Sequence, residues 1–228
     1  MQFHENGYVI GDPLRKPAGP NAMGSAESLP AEVDVLIAGT GPAGLLLAAQ
    51  LSAFPGITTR IVESREGPLE IGRADGIACK TVETFEAFDF AARIVQEAYW
   101  VNETVFWRPN PEDRANITRT GRIQDVEDGL SEFPHIIVNQ ARVHDFFLDF
   151  MKNSPNKLEP DYGYEMLRVE VAESGTHPVT AYLKDSSGKE VTVKARYVVG
   201  ADGARSVVRE SIGRELQGVF QNHRWGVL

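Results

Sequence analysis

The sequence holds a single cysteine, Cys79, so no disulfide can form within the chain and its core must stand without one. That usage fits a reducing compartment. Basic charge is also short: 23 Lys and Arg face 32 Asp and Glu, a formal net charge of -9. Nucleic acids and anionic membrane surfaces select for clustered positive charge, so neither is expected as a partner. No apolar run approaches the ~20 residues that span a bilayer. The first thirty residues lack the basic-then-apolar layout of an export signal. Together these absences predict a soluble, cytoplasmic protein. Repeats and low-complexity tracts are missing too. His135 and His144 have no partner His or Cys at ligand spacing, which argues against a zinc site. Ser206 lacks the Gly-x-Ser-x-Gly elbow of a hydrolase.

What is present reads as globular, with 42% hydrophobic and 24% charged residues over 228 positions. Residues 1–30 are punctuated by Gly11-Asp12-Pro13 and Pro17-Ala18-Gly19-Pro20, the pattern of an extended arm. Residues 33–38 form a nearly continuous apolar run, as in a parallel strand buried on both faces. After Gly39-x-Gly41-x-x-Gly44, the spacing predicts a helix over 43–52, stopped by Phe54-Pro55-Gly56, and a second strand over 57–63. Further on it predicts one helix over 81–100, short strands at 103–107, 115–124 and 135–139, and a helix over 141–152. Three alternating runs over 164–195 suggest an antiparallel meander. A separate buried strand at 197–200 and a helix over 206–212 follow. The fold class is α/β.

The glycine turn carries the first chemical signal. Gly39 permits the sharp strand-to-helix turn, Gly41 lets the backbone approach a pyrophosphate, and Gly44 lets helix and sheet pack closely. Pro42 falls near the first helical position, where its missing N–H costs nothing, and Ala43 follows in the first turn. A helix start offers N–H groups and the positive end of a dipole to phosphates. Glu63 lies 19 residues after Gly44 at a strand end, with Ser64 beside it. A carboxylate there accepts both hydroxyls of an unphosphorylated ribose, which favours NAD or FAD over NADP. The bland alternative is a tight turn that binds nothing. The turn does not separate FAD from NAD, so an NAD-dependent dehydrogenase stays open as a reading.

Later residues carry a resemblance. Tyr197-Val198-Val199-Gly200-Ala201-Asp202-Gly203-Ala204-Arg205-Ser206 resembles the Asp-Gly fingerprint of the class A, single-component FAD-dependent aromatic hydroxylases. Gly72-Arg73-Ala74-Asp75-Gly76-Ile77 and Phe133-Pro134-His135-Ile136-Ile137-Val138-Asn139-Gln140-Ala141-Arg142 are similar to segments of their phenol 2-monooxygenase branch. The resemblance covers the front portion of such enzymes. It implies a Rossmann-like FAD-binding domain with a βαβ dinucleotide unit and an antiparallel β-meander, plus the start of a substrate domain. Residues 31–102 and 136–219 would form the FAD-binding domain, and 103–135 with 220–228 part of the substrate-binding domain. Trp225-Gly226-Val227-Leu228 reads as the opening of a strand, a sign of truncation.

The same resemblance implies bound FAD, NAD(P)H as reductant, and O2 with a small phenolic aromatic as substrates. A flavin hydroperoxide would hydroxylate the ring ortho to its hydroxyl, in 3-hydroxybenzoate or a phenol-like compound. A homodimer is a candidate assembly for the full-length protein. Asp202 and Gly203 would help hold FAD, and Gln140 would be the flavin-side amide. Arg73 would lie on a loop near the flavin. Asp75 would accept the phenol proton, and His135 would face a ring carboxylate. Blander readings stand beside each: turns before helices for Asp75 and Asp202-Gly203, a helix cap for Gln140, a strand-edge histidine, a solvated arginine. Asp125, Glu127, Asp128 and Glu132 read as a solvated acidic loop. A non-catalytic FAD-binding fragment is the remaining alternative. A dehydrogenase would be colourless and a flavoprotein yellow, while the fragment would show NAD(P)H oxidation that no phenol stimulates.

Overall fold

The structure is a computed structural model and describes residues 16–22, 28–72, 74–219 and 221. They fall into two compact units, one formed by residues up to 67 and from 154 onward, the other by residues 68–153. The first unit opens with β1 (Glu32–Ala38), α1 (Pro42–Ser52) and β2 (Thr59–Glu63). The chain then builds the second unit from β3 (Gly76–Ile77), α2 (Cys79–Glu86), α3 (Ala91–Glu97), β4 (Tyr99–Val101), β5 (Glu103–Pro109), β6 (Ile117–Gln124), β7 (His135–Ile137) and α4 (Gln140–Asn153). It returns to the first unit with β8 (Asp161–Tyr162), β9 (Glu165–Val171), β10 (Val179–Lys184), β11 (Glu190–Gly200) and α5 (Val207–Ser211). No helix among the described residues is long and apolar enough to cross a membrane. Residues 222–228, with the expected terminal strand, lie outside the described residues, as does most of the arm.

The first unit is one six-stranded sheet in the order β8-β2-β1-β11-β10-β9. β1 is parallel to both β2 and β11, and α1 makes the crossover that parallel neighbours require. Leu36, Ile37, Ile61 and Val62 are fully buried, as the unbroken apolar runs demand. The buried face of α1 is built from Gly44, Leu45, Ala48, Ala49 and Ser52. Mostly small residues there let the helix axis lie close to the sheet.

One expectation is corrected here. The meander's third run and the separate strand at 197–200 are a single 11-residue strand, β11. Its first half is antiparallel to β10 and its second half parallel to β1. Val193 and Ala195 point into the core with Val33 and Leu183, but Tyr197 is 67% exposed. Continuous burial was expected at 197–200 because all apolar strands look alike in sequence. A strand joining an antiparallel half, which tolerates one solvated face, to a parallel half need not be covered on both sides.

At the opposite edge, β8 pairs β2 over two residues only, Val62 with Asp161 and Glu63 with Tyr162. A buried ion pair accompanies so short a ladder. Arg60 is wholly buried, its Nε donates to Asp161 Oδ2 at 2.7 Å, and its Nη2 donates to Oδ1. Burial pushes the Asp161 carboxyl above its usual range, and Arg60 opposes that rise without cancelling it.

In the second unit the single helix expected over 81–100 is two helices, α2 and α3, and 99–101 is a strand. The break lies between Glu86 and Ala91, with Asp89 at φ 61°. Phe88 and Phe90 are both buried. On a continuous helix two residues at that spacing point about 200° apart and cannot share a face. Interrupting the helix brings both rings into one cluster, with Phe90 stacked on Phe146 at 5.2 Å and Phe88 edge-on to Phe147 at 5.4 Å. β7 lies between β3 and β4, and β5 with β6 form an antiparallel ribbon whose Phe106, Trp107 and Ile117 are exposed.

Removing one partner of a buried ion pair strands the other charge, so Asp161→Ala is expected to cost about 3 kcal/mol or more in urea unfolding. The double change Arg60→Met with Asp161→Leu should recover most of that loss. A single-variant cost under about 1 kcal/mol would show that the pair does not hold the β8 edge.

Candidate functional site

The β1–α1 turn is built as the glycine spacing required. Gly39 adopts φ 100°, and a side chain there would lie 2.5 Å from the Ala201 carbonyl oxygen. A Cβ on Gly44 would lie 2.0 Å from the Gly39 oxygen, so helix and turn touch backbone to backbone. Gly41 is different, since a Cβ there would come no nearer than 3.9 Å to another group. Its bareness leaves approach from outside open. Gly41 is the N-cap of α1 and makes no side-chain cap bond, Pro42 follows, and no acid lies in the first turn. The first amides of this helix are thus not capped by a side chain, and Ala43 beside them is exposed. That is the donor arrangement that suits an external phosphate.

Glu63 ends β2 beside this turn and is only 8% exposed. Its Oε2 accepts from the Thr40 amide at 3.0 Å, the Thr40 hydroxyl at 2.7 Å and Arg65 Nη2 at 3.1 Å. Its Oε1 accepts from the Ser64 hydroxyl at 3.2 Å and the Arg65 amide at 3.0 Å. Burial works against the charged form, but the bonds from Arg65 and Thr40 outweigh it and hold the carboxyl down at about 2. A carboxylate has about four acceptor sites, and these donors fill them. A ribose offered to Glu63 would have to displace some of them. The Arg65 side chain is 38% exposed and has room to move.

Thr40 and Arg65 hold Glu63 and were not among the residues expected at this turn. The signal was available: a hydroxyl at the second position of the glycine turn and a cation two residues past the acid. Ser64, which the reading did include, touches Glu63 and completes the cluster.

The Asp202-Gly203 turn follows β11, and Gly203 adopts φ 84°, as a turn glycine should. Asp202 Oδ1 accepts from the Ser206 hydroxyl at 2.5 Å, and Oδ2 accepts from the Val208 amide at 3.2 Å. Ser206 in turn caps α5 by accepting from the Arg209 amide. Both carboxylate oxygens thus serve the start of α5, which is the bland reading of this residue. Gly203 has open space around its Cα.

In the second unit, the loop before β3 crosses the start of α4 closely. A Cβ on Gly72 would lie 2.3 Å from Gln140 Cβ, and the Gly72 amide donates to Asn139 Oδ1 at 3.3 Å. Asn139 Oδ1 also accepts from the Ala141 amide, so the cap of α4 is Asn139 and not Gln140. Gln140 is the first residue of α4 and half-buried. Asp75 is exposed, and its carbonyl accepts from the Val138 amide at 2.8 Å. That bond ties the loop to the end of β7 and leaves the Asp75 side chain on the exposed side. Arg73 lies outside the described residues.

His135 is half-buried on β7, and its Nδ1 lies 2.8 Å from Asp125 Oδ2. Asp125 is therefore not part of a merely solvated acidic loop. An open cavity of about 560 Å³ in this unit is lined by Val101, Glu103, Arg122, Gln124 and Pro134 among others. Neither Asp75, Asp125 nor His135 lines it. No group of three His, Cys, Asp or Glu among the described residues could hold a metal.

A parallel βαβ crossover, two close-packed glycines flanking an open one, a helix start with no side-chain cap and a buried acid at the second strand's end define a dinucleotide-binding domain. Residues 32–228 match the FAD binding domain model, and the chain belongs to that family, that of the class A FAD-dependent hydroxylases. Its dinucleotide is accordingly FAD, not NAD. The chain is 56% identical to the 3-hydroxybenzoate 4-monooxygenase of Comamonas testosteroni, covering 100% of this chain and 36% of that protein. It is 31% identical to a phenol 2-monooxygenase of Aspergillus fumigatus, over 86% of this chain and 32% of the relative. Among solved structures, the flavin-dependent monooxygenase PieE, in complex with FAD and substrate, is 26% identical with a TM-score of 0.70. That match covers 84% of this chain and 34% of the other. The chain spans about a third of the length of the curated relatives it matches.

Two outcomes are expected. Gly44→Ala must push back the Gly39 carbonyl, so FAD affinity should fall by about 100-fold in a flavin-fluorescence titration. Retained affinity would mean that the turn relaxes without cost. Glu63 has its carboxyl lowered on folding, so its stabilisation is complete above about pH 4.5 and is lost as pH falls toward 2. Glu63→Gln should cost up to about 3 kcal/mol at pH 7, and the wild-type and variant unfolding curves should converge near pH 2.

Proposed function

We propose that the chain is the FAD-binding part of an NAD(P)H-dependent monooxygenase that hydroxylates a phenolic aromatic acid ortho to its hydroxyl. The observation that carries this reading is 56% identity over the whole chain to a 3-hydroxybenzoate 4-monooxygenase, joined to a cradle that suits FAD. On 3-hydroxybenzoate, carbon 4 is at once ortho to the hydroxyl and para to the carboxylate. FAD, when bound, supplies the redox chemistry that passes two electrons from NAD(P)H to O2, leaving one oxygen on the ring and one in water.

The chain's own residues take separate parts. The amides at the start of α1, reached past Gly41, take the pyrophosphate, and Glu63 takes the ribose after its Arg65 and Ser64 donors yield. Gly203 and the Asp202 backbone add to the hold on FAD, since the Asp202 side chain serves α5. Gln140 and Arg73 serve the flavin by family resemblance. Asp75 accepts the phenol proton, which makes the ring electron-rich at the ortho carbon. Its exposure means that the ring itself must exclude water from it. His135 meets the ring carboxylate. The acidic charge and the single cysteine support a cytoplasmic setting.

The test is to load the protein with FAD and follow NAD(P)H oxidation with and without 3-hydroxybenzoate, identifying 3,4-dihydroxybenzoate by chromatography. Oxidation that the ring does not stimulate, with no such product, would sink the reading. Asp75→Asn should leave FAD affinity unchanged and lower hydroxylation by about 100-fold. Undiminished turnover would remove Asp75 from the chemistry.

A further inference from the structure

We propose that Asp125 is a positioning residue that orients the His135 ring so that Nε2 is the atom offered to the carboxylate of an aromatic acid. The proposal rests on the reading that His135 meets a ring carboxylate and adds how the ring is set for it. Among the four acids of its loop, Asp125 is the one whose carboxylate reaches this histidine. Its Oδ2 lies 2.8 Å from His135 Nδ1, and the two side chains are 20% and 30% exposed. Asp128, by contrast, accepts from the Gln124 side chain and stays on the surface.

The backbone fixes both partners. The Asp125 amide donates to the Asn102 carbonyl at 3.1 Å, which holds the residue just past the end of β6. His135 is in register with Val101 on β4, and the next residues of β7 pair with Gly76 and Ile77 on β3. With Nδ1 turned to Asp125, Nε2 is turned to β3. A Cβ on Gly76 would lie 3.4 Å from Nε2, and that atom is its one neighbour within 4 Å. Gly76 follows Asp75, so Nε2 lies beside the backbone that carries the proposed proton acceptor.

The ring chemistry follows from the two neighbours. A histidine whose Nδ1–H is given to a carboxylate has its tautomer and ring plane set by that bond. An Nε2–H donated to a second carboxylate would complete a pair of charge-assisted bonds, one on each side of the ring. An aromatic carboxylate therefore fits this position, whereas a phenol without a carboxylate gains nothing from it. Asp125 thereby becomes a determinant of preference for acids over simple phenols, acting through His135 without touching the ring.

The experiment uses the FAD-loaded protein and two probes, 3-hydroxybenzoate and phenol, in equilibrium titrations. Asp125→Ala should weaken 3-hydroxybenzoate binding about tenfold and change phenol binding less than twofold. Histidine-selective 15N spectra should show His135 protonated at Nδ1 in the wild type and redistributed between its nitrogens in Asp125→Ala. Equal weakening of both probes, or a His135 spectrum unmoved by the change, would overturn the proposal. His135→Ala separates the two claims. If it weakens 3-hydroxybenzoate while Asp125→Ala does not, the positioning role fails and the reading of His135 stands. If His135→Ala leaves 3-hydroxybenzoate affinity intact, the underlying reading of His135 fails.

Discussion

Backbone meets backbone where the end of β1, the start of α1 and the end of β11 converge, and the nucleotide cradle depends on that contact. A methyl on Gly44 would fall 2.0 Å from the Gly39 oxygen, and one on Gly39 would fall 2.5 Å from the Ala201 oxygen. Neither neighbour is a flexible side chain that could swing aside. With those positions bare, α1 begins immediately after the strand and its first amides cluster at the sheet's C-terminal edge. With them filled, the helix would retreat and the amides would scatter. Gly41 has the opposite character, bare with space around it, and so serves approach from outside.

The second constraint is electrostatic and local. Glu63 is a buried acid whose charge is kept by five donors from Thr40, Ser64 and Arg65. Thr40 belongs to the glycine turn, so the acid of β2 also ties down the loop after β1. A ligand that recruits Glu63 must trade bonds with Arg65 or Ser64 and cannot simply add to them. The Arg60–Asp161 pair three residues upstream is a different device. It is sealed from water and closes the sheet edge, and burial works against its carboxylate.

In the second unit, aromatic packing overrode periodicity. The stretch over 81–100 has apolar residues near helical spacing, yet Phe88 and Phe90 both enter one ring cluster and the helix gives way at Asp89. No window of sequence shows that, because the cluster is completed by Phe146, Phe147 and Phe150 from α4. The same holds for Asp125. In sequence it is one of four acids around a glycine, and only the register of β4 and β7 brings His135 to it. Gly72 is similar, a lone loop glycine until its backbone is seen lying against Gln140.

The sequence by itself determined the βαβ unit, the meander, the tight turn at Gly39 and close packing at Gly44, Pro42 at the start of α1, and an acid at the end of β2. Those features depend on short-range backbone geometry and on spacings that survive without knowledge of distant residues. Tertiary structure alone decided that β11 runs unbroken from meander to parallel sheet, and that the Thr40 hydroxyl and amide reach Glu63 across 23 residues. It also decided that both Asp202 oxygens serve α5 and that Asp125 sets His135. Each of these is a contact between segments far apart in the chain or a choice among acceptors equally plausible in sequence. Register and packing resolve such choices, because a hydrogen bond needs its partner within about 3 Å and composition carries no such distance.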